Sequence, residues 1–155
     1  MFYGRFQNGN GLILPNNITV VGIQTILDMA FRDDTADFWV GLCQGVYAPG
    51  LLIQDLTEPT IGTNGYARQQ ITRDINGWPV DGLANNEPFL ESDSLIWAAS
   101  GGDFDEAITR MFICFSETAT TGDVFALSAS LPEELTIGTA TDIGDRTFKY
   151  RIFGR

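Results

Sequence analysis

Asp55-Leu56-Thr57-Glu58-Pro59-Thr60-Ile61-Gly62-Thr63-Asn64-Gly65-Tyr66-Ala67-Arg68-Gln69 sets how the rest of the chain is read. Asn64-Gly65 is a turn signal, because both residues tolerate the positive φ of a tight turn. Strand alternation beyond it places Tyr66, Arg68 and Gln70 on one face and Ala67, Gln69 and Ile71 on the other, so Tyr66 to Thr72 reads as a strand. Upstream, Phe38-Trp39-Val40-Gly41-Leu42-Cys43 begins a strand that runs to Val46. Tyr47 to Gln54, with Pro49-Gly50, reads as a connection in which Leu51, Leu52 and Ile53 must pack on something.

Downstream the same grammar continues. Gly77-Trp78-Pro79-Val80-Asp81-Gly82 is rich in turn formers, and Pro88 precedes Phe89-Leu90-Glu91. Ser94 to Ala99, Ala107 to Ser116, Val124 to Ser130, Leu135 to Ile137 and Thr147 to Phe153 read as strands. In Ala107 to Ser116 both alternating sets are largely apolar, which marks a strand buried on two sides. Upstream, Val20, Ile23, Leu27 and Ala30 or Phe31 recur at helical spacing. They predict one amphipathic helix over residues 18–32, with Asn17 as N-cap, Gly22 costing about 1 kcal/mol against Ala, and Arg32 suiting the C-terminal dipole. Residues 1–14 have no helical period and form an aromatic arm, either an edge strand folded back on the core or a contact reaching a neighbouring subunit. The expected fold is mainly β: a β-sandwich or jelly roll with one N-terminal amphipathic helix, the arm preceding a single domain over residues 15–155.

Composition bounds the function. A chain of 155 residues with an ordinary apolar fraction buries a core. No apolar run has the ~20 residues of a membrane helix, and the first residues lack the basic head and apolar core of a secretion signal. A soluble protein made in a cytoplasm is expected. There is no histidine, which removes the commonest general base and transition-metal ligand. Net charge is −11, and Lys149 is the only lysine, so a nucleic-acid partner is not expected. Arg146, Lys149, Arg151 and Arg155 crowd the last ten positions, either as a solvated strand face or as a docking patch for an acidic neighbour. Cys43 and Cys114 lie in apolar runs and read as two buried thiols in preference to a disulfide.

Few residues offer chemistry. Asp103-Phe104-Asp105-Glu106 follows two glycines and could supply oxygens to Ca²⁺, but it lacks the Asp/Asn spacing of a calcium loop, so a solvated loop is favoured. Glu87, Glu91 and Asp93, with Asp74 or Asp81, could pair for glycosidic hydrolysis, which would require a cleft and a glutamate of raised pKa. Trp78 and Trp97 could stack on sugars, though large aromatics in such a fold are more often core. No nucleophile triad and no phosphate loop is present. No catalytic, cofactor-binding or metal residue is therefore expected.

Taken with Leu12-Ile13-Leu14-Pro15-Asn16-Asn17, the helix after it, Phe38-Trp39-Val40-Gly41-Leu42 and Trp78, the blocks Asp55-Leu56-Thr57-Glu58-Pro59-Thr60 and Gly65-Tyr66-Ala67-Arg68-Gln69 resemble a family of small virion structural proteins of tailed bacteriophages. The resemblance covers residues 12–115, and the N-terminal aromatic segment departs from it. It implies a non-enzymatic virion component without a cofactor, made in the bacterial cytoplasm. Its small, acidic β character suits a decoration or cement protein. Such a protein would bind the major capsid protein on the outer head surface as a homo-oligomer, a trimer matching local three-fold positions. The expected contact residues are Phe2, Tyr3, Arg5, Phe6, Arg146, Lys149, Arg151 and Arg155. The alternative is a tail or tail-fibre component with a glycan-binding module, which would need Trp78 or Tyr47 exposed beside carboxylates.

Overall fold

The computed structural model describes residues 3–7, 13–17, 19–33, 36–84, 87–130, 137, 146–149 and 151–153. In chain order these form β1 (Tyr3–Gln7), β2 (Ile13–Asn17), α1 (Val20–Arg32), β3 (Phe38–Cys43), β4 (Gln69–Ile71), β5 (Val80–Ala84), β6 (Glu87–Glu91), β7 (Leu95–Trp97), β8 (Arg110–Cys114), β9 (Ala126–Leu127), β10 (Arg146–Phe148) and β11 (Arg151–Phe153). The protein is mainly β with one helix near the N-terminus, and all strand pairings among the described residues are antiparallel. The chain gathers into two compact units: residues 1–35, 73–93 and 151–155 in the first, 36–72 and 94–150 in the second.

In the first unit β1 and β2 form a two-stranded sheet of their own, with Arg5 opposite Pro15 and Phe6 opposite Leu14. The aromatic arm is thus a hairpin that extends to Asn17. That places Asn17 in a strand, so it does not cap the helix. Thr19 does so instead: its backbone is extended and its Oγ1 accepts the Gly22 N–H at 3.1 Å. Leu27 and Phe31, one turn apart on α1, are buried, and the Phe31 ring meets Trp78 edge-on at 4.9 Å. Trp78 is fully buried. The turn-rich segment around it ends sooner than its composition implies, because Val80–Ala84 is already β5. This strand is the edge of a three-stranded sheet ordered β11-β6-β5.

The second unit holds a four-stranded sheet, β4-β3-β8-β9, and a two-stranded sheet, β10-β7. Phe38, Val40, Leu42 and Cys43 of β3 and Phe112, Ile113 and Cys114 of β8 are buried, so the sheet is covered on both faces as its continuous apolar runs predict. Gly41 stands opposite Phe112 in this ladder. A Cβ there would lie 2.3 Å from the Phe112 ring and 2.8 Å from Glu58 Oε1, so only glycine lets both approach. The cysteines are free and buried. Their register, Trp39 opposite Cys114 and Cys43 opposite Arg110, sets them at opposite ends of the ladder.

Several strands are shorter than the apolar pattern. Tyr66–Thr72 yields only Gln69–Ile71, Ala107–Ser116 only Arg110–Cys114, and Val124–Ser130 only Ala126–Leu127. Phe38–Val46 stops at Cys43, and Ser94–Ala99 narrows to Leu95–Trp97. The closing strand is two strands, β10 and β11, in different sheets. Of Leu135–Ile137, only Ile137 is described. It is buried, and its carbonyl accepts from Phe104 N–H at 2.8 Å. Among the described residues no helix is long and apolar enough to cross a membrane.

Candidate functional site

Between two contacts with β3 the chain makes an excursion. Gln44 and Thr57 exchange backbone hydrogen bonds at 2.8 and 3.0 Å, and Gln69–Ile71 rejoins β3 opposite Val40–Phe38. Residues 58–68 therefore leave the sheet and return to it. Asn64, with φ +50°, and Gly65, with φ +81°, reverse the chain at the far end, as their sequence predicts. Here a side chain at position 65 would strike Ser100, since a Cβ would sit 2.5 Å from its Oγ.

The base of this excursion is locked by three side chains of the two sequence blocks. Arg68 grips Glu58 through Nε to Oε1 (2.9 Å) and Nη2 to Oε2 (2.7 Å). Its other N–H groups reach the carbonyls of Ser116 (2.7 Å) and Ala119 (2.9 Å) and the Cys114 sulfur (3.5 Å). All five guanidinium donors are thereby engaged, and the group stands 5.2 Å from the Phe112 ring centroid. The Tyr66 hydroxyl donates to Glu58 Oε1 at 2.6 Å and accepts the Leu42 N–H at 2.9 Å. That N–H lies beyond the end of β4, so Tyr66 substitutes for the missing ladder partner. Burial opposes the Arg68 charge, but the hydrogen bonds and charge of Glu58 outweigh it and hold the guanidinium above its ordinary value. Burial, then the Glu58 carboxylate, push the Tyr66 hydroxyl far above the usual tyrosine range.

The expected alternation fails at one point. Tyr66 and Arg68 do share an inward face, but Gln70 is exposed and Ile71 is buried, so the face switches where the segment enters the ladder. The Trp97 indole marks the boundary by donating to the Ala67 carbonyl at 2.8 Å.

Three of the carboxylates singled out in the sequence, Asp74, Asp81 and Asp105, hold parts of the fold together. Asp105 accepts the Thr60 N–H at 2.9 Å, and hydrogen bonds from Thr60 hold its carboxyl below the usual range. Asn64 Nδ2 donates to the Asp103 carbonyl, and Phe104 is buried with its ring edge-on to Tyr66 at 5.2 Å. Asp74 receives the N–H groups of Asn76 and Gly77, and Asp81 pairs with Arg32 at 2.7 Å.

Each unit carries a surface groove among its described residues. In the first unit Val20, Val21, Gln24 and Thr25 of α1 face Asp81, Gly82 and Leu83 of β5 across about 300 Å³. In the second unit Tyr47, Ala48, Gly50 and Leu51 face Asp123 to Leu127 across about 280 Å³. The bridge Leu52–Asp123 and the bonds Ile53 N–H to Gly122 O (2.8 Å) and Val124 N–H to Leu51 O (3.3 Å) hold the two loops together. The second groove is aromatic. Its aromatic lining residues are Tyr47, which is 70% exposed, and the half-exposed Phe125, whose ring also meets Phe115, outside the groove, at 5.6 Å and buried Phe38 at 5.0 Å. It runs along β9, the edge of its sheet.

Of the predicted contact residues, Tyr3, Arg5 and Phe6 come together on β1. Arg146 lies on β10 opposite Trp97, Arg151 on β11 opposite Glu91, and Lys149 is exposed between these strands. The basic C-terminal run is thus divided between two sheets. Phe2 and Arg155 lie outside the described residues. Trp78 and Trp97 are buried in the fold, whereas Tyr47 is exposed beside Asp123. Sequence reading missed the Glu58–Arg68 pair, although both residues stand in the two blocks it singled out. It also missed the aromatic groove, whose walls are distant in sequence. No protein-family model, curated protein or solved structure matches the chain.

Proposed function

We propose that this chain is a structural component of a bacteriophage particle, a decoration or cement protein. In this role it binds the outer surface of the head as a homo-oligomer and stabilises contacts between major capsid protein subunits. The observation that carries the reading is the β1–β2 hairpin. Residues 1–27 contain Arg5 and no acidic residue, while the whole chain carries net charge −11. This basic, aromatic segment forms a two-stranded sheet with no third strand among the described residues. An isolated hairpin is marginal in water and gains stability when a partner covers it. A contact arm on an acidic body fits a protein that clasps neighbouring subunits. Because such a protein binds the assembled lattice and not its separate parts, mass action shifts assembly toward the lattice.

Quantitative mass spectrometry of purified virions tests the reading. Copy number of the same order as the major capsid protein is expected. A stoichiometry far below it favours a tail component, and absence from the particle overturns the virion reading. Removing residues 1–17 should abolish attachment to the head while leaving the circular dichroism of the remaining β structure in place.

A second reading rests on Tyr47. An exposed tyrosine that shares a groove with Asp123 supports a glycan-binding tail module. The buried tryptophans lend it nothing.

A further inference from the structure

The two grooves differ in charge state. The acid of the first, Asp81, is already matched by Arg32 at 2.7 Å. Asp123, on the rim of the second, is exposed and has no ion-pair partner among the described residues. The second groove also has aromatic lining, Tyr47 from one loop and Phe125 from the other. Alongside runs β9, an edge strand, and sheet edges of this kind accept an added strand through backbone hydrogen bonds while neighbouring pockets take alternate side chains. An occupant matched to these features is an extended, aromatic, basic segment free of acids.

The chain carries such a segment in β1. Its five residues include Tyr3, Arg5 and Phe6 and no acid. We infer that the groove along β9 receives the β1–β2 hairpin of a second copy of this chain. The inference rests on reading the hairpin as a contact arm, and it names what the arm contacts. Arm and groove are different surfaces, so the contact is heterologous, and repetition closes into a ring if the rotation permits. Each copy then contributes one arm and one groove, and the acidic bodies are joined through an acid-free segment that carries Arg5.

Charge exchange tests this in the purified full-length chain, away from any virion. By light scattering and sedimentation velocity the wild-type chain is expected to be an oligomer. Arg5→Glu alone and Asp123→Lys alone should each shift it toward monomer, because each sets like charges against one another. Mixing the two variants should restore association. The carboxylate introduced on the arm of one then meets the ammonium introduced on the groove of the other, and the native Arg5–Asp123 pair also forms between them. Tyr47→Ser, at an exposed position that leaves the core intact, should weaken association at least about tenfold as an interface aromatic does. A monomeric wild-type chain overturns the inference, as does an oligomer indifferent to both Tyr47→Ser and Asp123→Lys. So does a monomer that is retained on immobilised oligosaccharide through Tyr47, which assigns the groove to glycan. Charge-dependent self-association in a chain that does not bind heads would sink the cement reading and leave this one standing.

Discussion

Arg32 and Arg68 do comparable work in the two units under opposite conditions. Each holds carboxylate and carbonyl oxygens together. Arg32, in the last turn of α1, places Nε and Nη2 on the Trp78 carbonyl at 3.0 and 2.6 Å and shares Nη1 between Asp28 and Asp81. Those acids remain 42% and 53% exposed. Arg68 and Glu58 are 0% and 12% exposed. In the first case water can replace either partner, so the ion pair contributes little and the carbonyl bonds fix the side chain. In the second the charge has left water, and its neutralisation becomes a condition of folding. Arg32 turns its fork to a carbonyl and only Nη1 to its exposed acids, whereas Arg68 turns its fork to a buried carboxylate, and that difference separates an optional ion pair from an obligatory one.

The largest expected effect breaks that obligatory contact. Glu58→Gln leaves the Arg68 charge buried without a counter-ion and should cost about 3–5 kcal/mol in chemical denaturation at neutral pH, a large part of the stability of an ordinary domain. Glu58→Gln/Arg68→Met should recover only part of the loss, because the carbonyls of Ser116 and Ala119 still lose their donors. A single-variant cost below about 1 kcal/mol would mean that the pair behaves as a surface bridge and that the contrast with Arg32 is empty.

This contrast also explains what could be read in advance. The Asp28–Arg32 spacing is local, and so is the stripe that buries Leu27 and Phe31. The helix and the mainly β character were accordingly legible. The Glu58–Arg68 pair spans a loop whose closure depends on Gly41, Phe112 and the Ser116–Ala119 backbone, none of them adjacent in sequence. Tyr66–Arg68 therefore looked like ladder strand, although its bonds run through side chains. Strand lengths overshot for a related reason: apolar residues continue past the last hydrogen-bonded pair, as at Ile108, which is buried outside β8. The N-cap was misplaced because Asn17 and Thr19 are both good caps and only the hairpin register assigns Asn17 to β2. The aromatic groove was illegible because its walls, carrying Tyr47 and Phe125, are far apart in sequence and are joined by the Leu52–Asp123 bridge and the backbone bonds beside it.

A second effect, smaller per unit of pH, belongs to the buried side of the comparison. Burial, then the Glu58 charge, push the Cys43 thiol from 9.0 up to about 12, and Tyr66 is raised still further by the same causes. Below the ordinary pKa values both groups are protonated whether folded or unfolded, and nothing is lost. As pH rises past 9 the unfolded chain releases protons that the folded chain retains, so stability falls by up to about 1.4 kcal/mol per pH unit for each such group. Denaturation midpoints measured from pH 8 to 11 should decline. Cys43→Ala should flatten the decline above pH 9, and Tyr66→Phe should flatten it above pH 10. A decline unchanged in both variants would place the titrating groups elsewhere.

The smallest effect lies on the exposed side. Asp81→Asn removes one of the two carboxylates at Arg32 Nη1 but leaves Asp28 at 3.0 Å and both bonds to the Trp78 carbonyl. With Asp81 more than half exposed, the expected cost is about 0.2–1 kcal/mol. The cost should shrink further in ~1 M salt, where the Debye length falls to about 3 Å. Glu58→Gln should keep most of its cost in the same buffer, because its charge partner is shielded by protein and not by ions. Measuring both variants at low and high salt therefore reads burial directly. If Asp81→Asn were also salt-insensitive and cost about 3 kcal/mol, as a dry pair does, the α1–β5 groove beside it would have to exclude water, and Arg32 would join Arg68 as an obligatory contact.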